Sequence, residues 1–196
     1  MRIYVDQHGE APSPRRVRIF LAEKGIDVPR EYMKLHEDNR SDAFREKNPY
    51  RTLPVLELDD GTCIAESLAI CRYFEAIYPE PSLFGRTPLE QATIEMWTRR
   101  IELSLYLPID FAGASDFLGE LGATRFREGA VRTLRFYDRQ LGERAFMAGS
   151  SYSVADVVAL SAIDFGLRHV GFRLDSAWTR LRRWHDAVSA RPSAVA

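Results

Sequence analysis

The run Leu53-Pro54-Val55-Leu56-Glu57-Leu58-Asp59-Asp60-Gly61-Thr62-Cys63-Ile64-Ala65-Glu66-Ser67 decides how the chain is read. Asp60-Gly61 is a dipeptide selected by primed two-residue turns, which need positive φ values. It separates two apolar runs, so Leu53–Leu58 and Thr62–Ala65 are predicted to form a hairpin. Immediately afterwards Ile70, Tyr73, Phe74 and Ile77 recur at helical spacing, which predicts a helix from about Ser67. Strand, turn, strand and helix follow in that order.

Working outward, Arg2–Asp6 alternates as a strand does. Val17, Phe20 and Leu21 then mark one face of a helix over 14–24, and Gly25 supplies its C-terminal stop. Glu31–Leu35 alternates again. The order is β-α-β, an irregular stretch, then β-β-α, which is the thioredoxin arrangement of a small mixed sheet flanked by helices. Pro79-Glu80-Pro81 ends the last helix and opens a linker to about Pro88. Beyond Leu89 helical stripes replace strand signals: Ile94, Trp97, Ile101 and Leu105, stopped by Pro108, then Phe126, Ala130, Leu134, Tyr137 and Leu141. Gly113–Gly122 reads as irregular. Val157–Leu167 is apolar almost all round and predicts a buried central helix, opened by a capping box of Ser153 and Asp156. Trp178, Leu181, His185 and Val188 mark a last helix. The predicted fold is α/β plus all-α, with a thioredoxin-like domain over 1–80 and a helical-bundle domain over 89–196.

Bulk properties narrow the function. Of 196 residues, 45% are hydrophobic and 28% charged, and the formal net charge of -1 offers no basic excess for a nucleic-acid surface. The pairs Arg15-Arg16, Arg99-Arg100 and Arg182-Arg183 sit within helical patterns and read as solvated or ion-paired faces. No apolar run approaches the roughly 20 residues that span a bilayer. Two cysteines, Cys63 and Cys71, make no disulfide framework and fit a reducing cytoplasm. The four histidines lack metal-ligand spacing, so no metal is expected.

Three local features point to a binding site, each with an ordinary structural explanation beside it. Pro54 at a strand start cannot donate a ladder hydrogen bond; an edge-strand proline explains it, and so does a backbone turned outward to pair with an extended ligand. Ser67 suits a helix N-cap, while Glu66-Ser67 together also suit the ammonium and carboxylate of an α-amino acid group. In Ala11-Pro12-Ser13-Pro14, Pro14 suits the first helical position and Ser13 the cap. The same hydroxyl and helix N-terminus suit an anion such as a thiolate.

Arg16–Gly25, Asn48–Leu56, Asp60–Ser67 and Ala148–Asp156 together resemble the cytosolic glutathione S-transferase family, above all a fungal and bacterial subgroup with a proline-flanked N-terminal loop. The resemblance runs nearly the whole chain in the right order. It implies a cis Pro54, Val55 backbone pairing with the cysteinyl part of glutathione, and Glu66 and Ser67 at its γ-glutamyl end. Leu53 belongs to the same stretch. Thr52 stands where many members have Lys or Gln near the glycyl carboxylate, and neighbouring Arg51 offers a charge there. Asn39 falls near a position where relatives often have His, and Tyr50 resembles the aromatic residue that some classes insert into a partner subunit. The implied activity is attack by the glutathione sulfur on a small apolar electrophile, with glutathione as co-substrate, no metal, and a homodimer as the working form. A non-catalytic binding or scaffolding protein on the same fold is the alternative.

The chemistry turns on one proton. A free thiol has a pKa of about 8.5, and lowering it by two units takes about 2.7 kcal/mol. An exposed helix N-terminus supplies roughly 0.3–1 kcal/mol, so a hydrogen-bond donor worth about 1.5–3 kcal/mol is needed as well. Ser13 is the catalytic candidate, the only hydroxyl in the 11–14 loop; Tyr4, a backbone amide and a bound water are the others. That loop has no cysteine, which argues against a mixed-disulfide mechanism. Trp97, Tyr106 and Phe111 are candidates to line an acceptor pocket, although aromatic residues at helical spacing more often build a core.

Overall fold

The hairpin forms one residue longer in its loop than a two-residue turn would give. In the computed structural model, which describes residues 1–196 except the Ser115 side chain, the Leu58 amide donates to the Thr62 carbonyl at 2.8 Å. Asp59, Asp60 and Gly61 lie between, with Gly61 at φ 85° and the Asp60 carboxylate accepting from the Thr62 amide at 2.9 Å. This is the three-residue alternative, in which glycine takes the left-handed position.

Strands β1 (Arg2–Asp6), β2 (Arg30–Met33), β3 (Val55–Glu57) and β4 (Cys63–Ala65) form one sheet in the order β2-β1-β3-β4. β1 and β2 are parallel; β3 runs antiparallel to both β1 and β4, with Tyr4 opposite Val55 and Val55 opposite Ala65. Helix α1 (Pro12–Lys24) makes the crossover and ends at Gly25, φ 64°. Helix α3 (Ser67–Ile77) follows the hairpin and buries Ile70, Cys71 and Phe74, whereas Ile77 lies exposed beyond the stripe. The stretch expected to be irregular contains a short helix, α2 (Asp42–Lys47), capped by Ser41 accepting from the Phe44 amide. Lys24 ties the ends of this layer together: its buried ammonium donates to the carbonyls of Tyr78 and Pro81 at 2.6 and 2.8 Å and pairs with Glu75 at 2.7 Å.

The chain divides into two compact units, Met1–Pro81 with Val195–Ala196, and Ser82–Ala194. The second unit is helical. Helix α4 (Pro88–Ile101) opens with a Thr87/Glu90 capping box. Pro108 does not stop the helical path. A π-helical turn over Glu102–Tyr106, in which the Leu107 amide reaches the Glu102 carbonyl, shifts the register so that Pro108 falls in the first turn of α5 (Leu107–Ala112). Helix α6 (Ser115–Leu141) occupies most of the segment expected to be irregular and breaks only at Gly119, φ 68°. Helix α7 (Val154–His169) is the buried central helix, and α8 (Thr179–Ser189) packs Leu181, Trp184 and Val188 inward. Trp97 belongs to this core, edge-on to Tyr137 with ring centroids 6.0 Å apart.

The pin of the helical unit is Asp156, fully buried in the first turn of α7. Its carboxylate accepts from the amides of Met147 and Ser153 at 2.8 and 3.0 Å, the Ser153 hydroxyl at 3.1 Å and the Trp184 indole at 2.7 Å. Burial pushes its pKa up to about 6, against the pull of those four donors. At neutral pH it is ionised, as a group that only accepts should be.

Candidate functional site

The sequence places Ser13 at a helix cap, but the helix begins earlier. Ala11 is the N-cap, with extended backbone and no side-chain cap bond, and Pro12, Ser13 and Pro14 make up the first turn. A proline tolerates the first turn because its missing N–H would find no intrahelical partner there. Two prolines in three residues remove two of the donors that a helix N-terminus ordinarily presents. The Arg15 amide already donates to the Ala11 carbonyl at 3.2 Å. Ser13 therefore brings the one backbone N–H of residues 12–14, together with its hydroxyl, and it is half-buried.

Ser67 is likewise one step inside its helix. The cap of α3 is Glu66, an exposed residue held at φ 69° and ψ 117°. A non-glycine residue at positive φ carries a steric cost and so marks a position fixed by its surroundings. Ser67 is buried, and the guanidinium of buried Arg16 reaches its Oγ at 3.4 Å. That contact sets the first turns of α1 and α3 side by side. Arg16 lies one turn beyond Ser13, so a cation stands behind the same end of both helices. Of the two readings of the Arg15-Arg16 pair, solvated or ion-paired, the solvated one fails, since the residues are 6% and 2% exposed.

The approach to β3 is held by two buried asparagines. Asn48 donates to the carbonyl and hydroxyl of Thr52 at 2.9 and 3.1 Å and accepts from the Tyr50 amide at 3.1 Å. Asn39 donates to the Arg51 carbonyl at 2.7 Å and accepts from the His36 amide at 2.6 Å. Arg51 itself sits at φ 55° with its guanidinium 3.7 Å from Asp42. Both Asn39 and Asn48 thus shape the loop through their amides. The Leu53–Pro54 bond is cis. Val55 begins the ladder with partners on both sides, an arrangement that directs its N–H and C=O into the sheet. Leu53 precedes the ladder.

Tyr4 carries the other side-chain hydroxyl named as a thiol donor. Its hydroxyl donates to Glu57 at 2.5 Å, and Glu57 also accepts from Lys47 at 2.8 Å. Burial and the Glu57 carboxylate push its pKa up, so it holds its proton more firmly than an ordinary phenol. Cys63 and Cys71 are free thiols, and burial raises both of their pKa values. Among the described residues, no group of three His, Cys, Asp or Glu side chains is placed to hold a metal ion, and no helix is long and apolar enough to cross a membrane.

A four-stranded mixed sheet of thioredoxin type followed by a helical unit, with two prolines in the first turn of α1 and a Glu-Ser pair opening α3, defines a two-part thioredoxin-like class. Comparison with known families agrees. Residues 11–82 match the family model for the glutathione S-transferase N-terminal domain and 125–192 that for the C-terminal domain. Glutathione S-transferase 2 of Saccharomyces cerevisiae is 36% identical over 93% of this chain and 83% of its own length. The crystal structure of Gtt2 from that organism superposes with a TM-score of 0.91 at 35% identity, covering 100% of this chain and 99% of the other. A Gtt2-class glutathione S-transferase of Vibrio parahaemolyticus gives 0.89 at 33%, covering 98% and 94%. The chain belongs to the glutathione S-transferase family.

Asp6, Arg16, Arg18 and Asn48 are the residues of this region that sequence reasoning passed over as site residues. Arg16 and Arg18 flank Val17 in a basic run, which by itself describes a solvated face equally well.

Proposed function

We infer that this chain is a glutathione S-transferase that activates the glutathione thiolate at the first turn of α1 and delivers it to a small apolar electrophile. The observation that carries the reading is the pairing of the two helix starts through Arg16 and Ser67. A thiolate next to Ser13 meets an amide and a hydroxyl on one residue, in front of a helix N-terminus. A charge-assisted hydrogen bond of about 1.5–3 kcal/mol together with a helix-terminus contribution of roughly 0.3–1 kcal/mol matches the demand of a two-unit pKa shift.

In this reading Ser67 and the amides opening α3 take the γ-glutamyl carboxylate, with the Arg16 charge behind them, and Glu66 takes the ammonium. The cysteinyl pairing that the resemblance implies for Val55 falls in this reading to the backbone at Leu53, upstream of the ladder and joined to Pro54, because Val55 is flanked by Tyr4 and Ala65 within the sheet. Arg51 and Thr52 face the glycyl end, where Arg51 supplies the charge that lysine supplies elsewhere. The reaction forms a carbon–sulfur bond on the electrophile and expels its leaving group or passes a proton to the adduct, a detoxifying conjugation. The working form is a cytoplasmic homodimer. The free cysteines fit a reducing compartment, and Tyr50, 84% exposed at the tip of its loop, fits a contact with a second copy.

The test is an ultraviolet titration of bound glutathione against pH for the wild type, Ser13→Ala and Ser67→Ala. Wild type is expected to hold the thiol well below its free pKa of about 8.5. Ser13→Ala should return it most of the way, and Ser67→Ala should weaken glutathione binding about tenfold with the thiol pKa little changed. A depressed pKa that survives Ser13→Ala would move the donor to water or a backbone amide. Binding with an unshifted thiol would overturn the catalytic reading.

A further inference from the structure

The loop that delivers the chain into α1 is organised around one buried carboxylate. Asp6 ends β1, where its backbone is fixed opposite Met33, and the next amide, that of Gln7, donates to the Met33 carbonyl at 2.8 Å. From this anchored position its side chain reaches forward along the loop. Oδ2 accepts from the Glu10 amide at 2.7 Å and from the Ala11 amide at 3.1 Å. Oδ1 lies 3.5 Å from Nη1 of Arg18. Arg18 in turn donates from Nη2 to the Gly9 carbonyl at 2.6 Å and from Nε to the Ala196 carbonyl at 3.3 Å.

Gly9, Glu10 and Ala11 are thus tied through two side chains whose own backbones belong to β1 and α1. Asp6 is 2% exposed and Arg18 6%. Gly9 is at φ 70°, and a Cβ there would stand 3.4 Å from the Arg18 guanidinium, so the loop rests closely against that group. Stability alone explains such a pair poorly, because taking two charges out of water cancels much of their attraction. What the pair does hold, through the Glu10 and Ala11 amides and the Gly9 carbonyl, is the stretch that leads into Pro12 and Ser13.

We propose that Asp6, held by Arg18, is a positioning residue for the reaction: it fixes the entry to α1 and through that geometry governs how strongly Ser13 stabilises a bound thiolate. The proposal rests on the reading of Ser13 given above. Its physical basis is the steep dependence of catalysis on placement, where a shift of about 1 Å can cost on the order of 100-fold. Asp6 touches neither substrate nor reacting sulfur.

The experiment uses the full chain and the variants Asp6→Asn and Arg18→Lys. Asparagine keeps the size and one acceptor but loses the charge; lysine keeps the charge but cannot span Asp6 and the Gly9 carbonyl together. For each, the bound-thiol pKa is read by ultraviolet titration, and kcat and KM for glutathione are measured with a nitro-activated aryl chloride. Asp6→Asn is expected to lower kcat at neutral pH about tenfold and to raise the bound-thiol pKa by about one unit. KM for glutathione should stay within about threefold, since residues 51–55 and 66–67 are untouched. Arg18→Lys should move the same quantities in the same direction by less, and it decides the matter if Asp6→Asn does not fold. Variants that denature more easily yet keep the wild-type thiol pKa and kcat would overturn the proposal and leave a purely structural pair. If Ser13→Ala abolishes the pKa shift and Asp6→Asn does not, the positioning role fails while the Ser13 reading stands. An unshifted thiol in the wild type overturns both.

Discussion

Replacing Asp156 by alanine should remove about 3 kcal/mol of stability at neutral pH. The substitution orphans three buried N–H donors, those of Met147, Ser153 and the Trp184 indole. At about 2 kcal/mol for each buried donor left without an acceptor, the loss is on the order of 6 kcal/mol. Against this stands the unfavourable burial of the carboxylate. Its pKa is pushed up from 3.8 to about 6, and two units correspond to about 3 kcal/mol returned when the charge is removed. The remainder is a large part of the roughly 5–15 kcal/mol that keeps a typical domain folded. The same pKa gives a signed pH dependence. A carboxyl whose folded pKa is raised stabilises most below its unfolded pKa, and that contribution is lost as pH rises through about 6. Wild type should therefore gain about 1 kcal/mol on going from pH 7 to pH 5 that the variant does not gain. Equilibrium urea unfolding followed by far-ultraviolet circular dichroism, at one fixed protein concentration, measures both. A difference below about 1 kcal/mol at pH 7, or one that shrinks at pH 5, would refute the reasoning.

Two further outcomes follow from the site. Tyr4→Phe should leave kcat and the bound-thiol pKa within about twofold and a few tenths of a unit, because the Tyr4 hydroxyl is committed to Glu57; a tenfold fall in kcat would make Tyr4 the donor. Tyr50→Ala should weaken self-association at least tenfold in sedimentation equilibrium if its exposed ring enters a second copy, since a buried aromatic anchor dominates such contacts. An unchanged association constant would remove Tyr50 from the interface.

The sequence by itself determined the type and order of the principal elements. Apolar spacing in 67–77 and 157–167, the place of a turn at Asp60-Gly61, though not its two-residue type, and the Ser153/Asp156 box are local signals, each set by a few neighbouring residues. It also marked Ser13, Glu66 and Ser67 as the groups to examine. Where local chemistry allowed two outcomes, tertiary structure decided. Ser13 and Ser67 each proved to lie one or two positions inside a helix, since the cap is chosen by how the preceding loop is anchored. Pro108 failed to end a helix because a π-helical turn ahead of it shifted the register. Short α2 escaped notice because six residues hold too little periodicity to read. Above all, the roles of Asp6, Arg16 and Arg18 could not be read from spacing. An arginine on a helix looks the same in sequence whether its guanidinium faces water or a buried partner. Only the packing of α1 against β1 and α3 brought Arg18 to Asp6 and Arg16 to Ser67, 51 residues away along the chain.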